Sequence, residues 1–130
     1  MTDRLWSGSC QSGQATVELA LCLPVIAILL AALLQVGVIV SDQTRLWDAA
    51  REAARVAVVD PDPKAITQAA ERSGLAPVTT SIRPQAALRA QGRPLTITLA
   101  YRPRAVLPLL GRVVDGIELH AVATMRIEQP

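Results

Sequence analysis

Residues Leu19–Val40 read LALCLPVIAILLAALLQVGVIV, twenty-two positions without a charge. At ~1.5 Å per residue such a helix is roughly 33 Å long, enough to cross the hydrocarbon core of a bilayer. Pro24 removes one backbone hydrogen bond, but it stands early in the run, where a kink costs least. Gln35 is the other awkward member. A cleaved secretory signal is the competing reading of any such stretch. Three features oppose it: the run is longer than a typical signal core, Glu18 stands at its edge, and Val38 and Val40 make poor small-x-small cleavage positions. The stretch is therefore read as one transmembrane helix.

The helical pattern continues past the apolar run. Residues 41–59 read SDQTRLWDAAREAARVAVV, with no Gly or Pro. Leu46, Ala49, Ala50, Ala53, Ala54 and Ala57 recur at three- and four-residue steps and make one apolar face, with Arg45, Asp48, Glu52 and Arg55 opposite. Because that face is mostly alanine, a sheet or another helix can approach closely. Packing on the chain's own sheet and packing against neighbouring subunits both fit.

Asp60-Pro61-Asp62-Pro63 stops this helix. Asp62 is suited to cap a second one, and Pro63 to its first turn. Ala65, Ile66, Ala69 and Ala70 give the second helix an apolar stripe that Gly74 ends. The period then drops to two. Val78–Arg83 is a weak strand candidate, and Leu95, Ile97, Leu99 and Tyr101 alternate with Thr96, Thr98 and Ala100. Ile117, Leu119, Ala121, Ala123, Met125 and Ile127 alternate with Glu118, His120, Val122, Thr124, Arg126 and Glu128. The expected fold is α+β: a long N-terminal transmembrane and amphipathic helix, a second short helix, and a small three-stranded antiparallel sheet covered on one side by helix. Residues 60–130 are few for an independent core, so the domain should lean on the preceding helix. The loop PRAVLPLLGRVVDG before the last strand is apolar and punctuated by Pro and Gly. It reads as a cover over the open end of the sheet core, with contact to a membrane surface or a partner as the alternative.

Composition excludes several function classes. The only aromatic residues are Trp6, Trp47 and Tyr101, and the net charge is +2. A single-stranded nucleic-acid surface needs stacking aromatics among its basic residues, and the six arginines between Arg83 and Val114 have only Tyr101 for company. That acid-free stretch reads as solvated surface, or as a contact for an anionic partner or lipid headgroups. The two cysteines, Cys10 and Cys22, lie at or before the apolar run, so no disulfide framework is expected in the domain. His120 is the sole histidine, and it falls on the polar face of its strand. One exposed histidine makes neither a metal site nor a triad. Asp60 and Asp62 are accounted for by helix capping. The chain is expected not to be an enzyme, with no catalytic residue, cofactor, metal, nucleic acid or small-molecule substrate.

The segment Ser12-Gly13-Gln14-Ala15-Thr16-Val17-Glu18-Leu19-Ala20-Leu21 joins a polar, Gly/Ser-rich leader to the apolar run. A glycine followed five residues later by a glutamate at the head of a membrane helix resembles the processing site of type IV prepilins and pseudopilins. With Asp42-Gln43 and Ala49-Ala50-Arg51-Glu52-Ala53-Ala54-Arg55 added, residues 13–59 look like the TadE family, minor pseudopilins of tight-adherence (Flp) pilus systems. The final strand ending Ala123-Thr124-Met125-Arg126 is similar to the way such chains close. Family members often carry an aromatic after the glutamate and a more basic leader. Leu19 stands at that position here, and the leader has only Arg4, offset by Asp3.

The resemblance implies a leader peptide over residues 1–13 and cleavage between Gly13 and Gln14 by a membrane prepilin peptidase. It implies an anchor helix with its extension over 14–59 and a small extracytoplasmic α+β domain over 60–130. The chain would then be a single-pass protein of the cytoplasmic membrane that takes part in pilus assembly, with other pilin or pseudopilin subunits and the assembly machinery as partners. A carboxylate within a bilayer costs ~2.5–3.5 kcal/mol at the centre and less near an interface. Glu18 therefore either marks the helix edge in the headgroup zone or, as the resemblance implies, pairs with the new amine of Gln14 on a neighbouring subunit. A signal-anchored envelope protein with a small binding domain, and a secreted protein that loses its first forty residues, are the competing functions.

Overall fold

The computed structural model describes residues 10–85, 88–106, 108 and 111–127, with the backbone alone for residues 10–12. Two compact units divide the chain at Gln35/Val36. Helix α1 spans Cys10–Val59, 50 residues including Pro24. It starts within the stretch expected as a leader. No proline stands between Cys10 and the apolar run, and Gly13 is the poorest helix former there, so the helix can extend backwards once the run has nucleated it. The rest of the expected leader, residues 1–9, lies outside the described residues.

In the first unit the large apolar side chains of the run stand outward, from 46% exposed at Ile26 to 72% at Leu21. Among the described residues, α1 is the helix long and apolar enough to cross a membrane. The exposure has a plain physical reason. Leucine, isoleucine and valine lie all around the helix, and lipid is the solvent in which such a surface is stable.

The second unit is built around the later part of α1. Leu46, Ala50, Ala53 and Ala54 are fully buried, and Ala49 and Ala57 nearly so. Arg45, Asp48, Glu52 and Arg55 are exposed, as the pattern predicts. Ion pairs Asp48–Arg51 (3.9 Å) and Glu52–Arg55 (3.8 Å) run along this outer side. They are solvent-exposed and worth a few tenths of a kcal/mol at most.

Helix α2 spans Pro63–Glu71 with Asp62 as its N-cap. The Asp62 carboxylate accepts the Lys64 amide at 3.0 Å, and Asp60 accepts the Asp62 amide at 2.9 Å. Both aspartates thus serve the backbone, as capping predicts. Ile66, Ala69 and Ala70 are buried, and Gly74 turns the chain with φ +82. That left-handed conformation suits glycine because it has no Cβ to clash.

Strands β1 (Thr79–Arg83), β2 (Pro94–Tyr101) and β3 (Leu119–Arg126) form an antiparallel sheet in the order β1-β2-β3. Cis peptide bonds precede Pro77 and Pro84 on either side of β1. Ile97 lies between Ile82 and Ala123, and Leu99 between Thr80 and Ala121. These rows face the core, where Leu95, Ile97, Leu99 and Ala121 are fully buried. Thr79, Ser81, Thr96, Thr98, His120, Val122 and Thr124 alternate onto the other face, where the Thr96 and Thr124 hydroxyls meet at 3.1 Å. β3 begins two residues after Ile117, which is partly buried and still packs against the core. The expected alternation at Glu128 lies outside the described residues. The loop before β3 contains a feature the sequence reading lacked: a single-turn helix α3, Gly111–Val114, with Val114 buried.

Candidate assembly site on the N-terminal helix

Gly13, Gln14, Val17, Glu18 and Leu21 line one shallow face of α1. Their spacing explains it, since residues four apart stack along a helix. Gln14 therefore stands one turn before Glu18 on the same side. Helical side chains lean toward the N-terminus, which carries the Glu18 carboxylate back toward that turn. Glu18 is exposed, and it is the sole charged residue between Arg4 and Asp42. Its neighbours Val17, Leu19 and Leu21 are 61%, 60% and 72% exposed. Eight residues separate it from Cys10, so it lies beyond the first turn, where capping and the helix dipole act. It is thus an exposed carboxylate at the head of an apolar helix surface, able to accept a hydrogen bond from a cation or amine.

The other chemistry-bearing residues do not gather. Among the described residues no group of three or more His, Cys, Asp and Glu could hold a metal ion. His120 has an exposed side chain, and Cys22 is an exposed free thiol on the apolar run. The arginines are dispersed too. Arg102 pairs with Glu118 at 4.0 Å, while Arg89 donates to the Pro84 and Pro61 carbonyls at 3.5 and 3.3 Å. Two polar residues that no periodicity singled out are buried: Gln35 and Asp42 are 5% and 9% exposed. Gln43 donates through Nε2 to the His120 carbonyl at 3.0 Å, tying α1 to the start of β3.

Residues 13–55 match the TadE-like protein family. The match opens on Gly13, takes in Glu18 and the whole apolar run, and closes on Arg55 at the end of the Ala/Arg face. It is thus confined to α1, and the sheet domain lies beyond the TadE-like segment. No curated protein and no solved structure matches the chain.

Proposed function

We propose that this chain is a membrane-anchored minor pilin, or pseudopilin, that takes part in assembly of a Flp-type tight-adherence pilus or a related secretion apparatus, acting by assembly and not by catalysis. The observation that carries this reading is Glu18: a lone exposed carboxylate on an apolar helix face shared with Gly13 and Gln14, at the head of the TadE-like segment. A prepilin peptidase cuts between Gly13 and Gln14, and the leader is lost. The new Gln14 amine of one subunit then meets Glu18 of the next, which sets the register between neighbouring helices. The run after Glu18 anchors the protein in the cytoplasmic membrane and, in an assembled filament, packs against like helices. Residues 60–130 stand on the extracytoplasmic side.

The test is the mature N-terminus. Intact-mass analysis of protein from native membranes is expected to find the chain shortened by its 13 leader residues, beginning at Gln14. A full-length chain in cells that express the peptidase would overturn processing and favour a signal-anchored envelope protein. A start near Ser41 would mean a secreted protein.

A further inference from the structure

The two ends of the loop between β2 and β3 have a fixed place in the second unit. Tyr101 pairs with Leu119, so both ends of the loop leave the sheet at the same edge. The Gln43–His120 hydrogen bond pins that edge to α1 three residues after Val40, where the charge-free run ends. Ile39 on the helix and Ile117 at the end of the loop both pack against the core. The domain therefore reaches the last turn of the apolar run. Around the same turn Val36 and Val40 are 57% and 60% exposed, a surface suited to lipid.

The loop itself has the composition of an interfacial segment. Val106 and Val113 are 56% and 70% exposed, whereas Val114 beside the latter is 2% exposed. The short turn α3 thus buries one valine and turns the other outward. Arg102, Arg104 and Arg112 are exposed and no acid occurs from Arg102 to Val114; the Arg102–Glu118 pair at 4.0 Å is solvent-exposed and weak enough to yield to a phosphate. Apolar side chains interleaved with arginines suit the boundary between headgroups and acyl chains. The apolar groups leave water there, while the arginine stems lie along the surface and their guanidinium groups reach phosphate.

The geometry points to the β2–β3 loop as a membrane-contact element whose partner is the anionic headgroup layer of the bilayer that α1 crosses. Val106 and Val113 enter the headgroup–acyl boundary, and Arg102, Arg104 and Arg112 face lipid phosphates. The inference rests on the reading of α1 as a membrane anchor and adds a second point of attachment, which holds the domain against the surface it stands on.

The full chain, with Cys10 and Cys22 replaced by Ser, would be reconstituted in vesicles of equal parts phosphatidylglycerol and phosphatidylcholine. An environment-sensitive fluorophore is attached through Val113→Cys, Leu29→Cys in the apolar run, or Val122→Cys on the outer face of the sheet. Labels at 29 and 113 are expected to shift to the blue and to be quenched by a lipid-borne quencher, while the label at 122 reports water. The shift at 113 should weaken in vesicles of phosphatidylcholine alone and when Arg102, Arg104 and Arg112 are replaced by Gln. A label at 113 as aqueous as that at 122, with 29 in lipid, overturns the loop contact and leaves the anchor standing. A label at 29 in water removes the anchor reading and the loop contact together. Indifference of the signal at 113 to lipid charge and to the arginines overturns their assignment to phosphate. Shielding of 113 only after another pilus protein is added overturns the bilayer as partner in favour of a protein.

Discussion

Glu18 concentrates the question of function in one side chain. Its carboxylate is exposed on a surface of Val and Leu, away from the helix end and without an ion pair among the described residues. A charge in such a setting is costly unless a partner arrives. Replacing Glu18 with Ala removes that cost from the single chain, so insertion into the membrane should be unaffected or easier. If Glu18 neutralises the Gln14 amine of a neighbour, the same change leaves the amine unpaired in the filament. Pilus number is expected to fall roughly tenfold or more, the factor that ~1.4 kcal/mol carries, while the membrane level of the subunit holds and cleavage at Gly13 persists. Blotting Glu18→Ala membranes and scoring pili in the same cells checks this, and normal pili at a normal protein level would reduce Glu18 to a helix-edge residue. Thr80 poses a simpler case on β1. Its hydroxyl is buried with no hydrogen-bond partner, on the face that carries Leu99. Thr80→Val removes the unsatisfied oxygen and keeps a β-branched strand former, so the domain should gain about 1 kcal/mol. Denaturant titration of the detergent-solubilised chain would measure it; a loss would mean that the hydroxyl is satisfied after all.

At the scale of elements, α1 does two jobs with one backbone. Before Val40 it is apolar all round, and after Ser41 it is apolar along a single alanine stripe. The alanines share one core cluster with the inward residues of β2 and β3. Ala53 is fully buried within the core that includes Leu46, Leu99 and Ala121. Ala53→Leu adds three carbons at a fully buried position, and overpacking of this kind costs about 1–3 kcal/mol. Thermal unfolding of the variant should start at lower temperature, with membrane insertion unchanged because the apolar run is untouched. Unaltered unfolding would mean that the stripe is loosely packed and available to neighbouring subunits.

For the whole molecule, the decisive question is which side of the membrane holds the sheet. Flanking charge does not decide for the proposed topology. Arg4 and the N-terminal amine lie on one side, and Arg45, Arg51 and Arg55, balanced by Asp42, Asp48 and Glu52, lie on the other. The positive-inside rule counts basic residues only and favours the reverse orientation. The extracytoplasmic placement rests on the TadE-like segment. Protease added to intact spheroplasts is expected to digest residues 60–130 and to spare the anchor; full protection of the domain would reverse the topology.

The sequence by itself determined the long apolar helix, its extension, the Asp62 cap and the three strands, because each depends on local periodicity or on a backbone group a few residues away. Leu19–Val40 needs no partner in the chain to be read, and the alternation of Leu95 to Tyr101 assigns its own inward face. The proposed site rests on local spacing too: Gln14 and Glu18 stand one turn apart on one ridge of the helix, and Gly13 lies on the neighbouring ridge with Val17 and Leu21. Long-range contact decided the rest. Gln43 bonding His120 spans 77 positions, and no periodicity announces it. The burial of Asp42 and Val114 and the α3 turn likewise follow no local pattern, and Ile39 and Ile117 come to one core although 78 positions apart. A residue's own pattern tells which way it turns on its element, whereas what it meets there is set by the packing of elements distant in the chain.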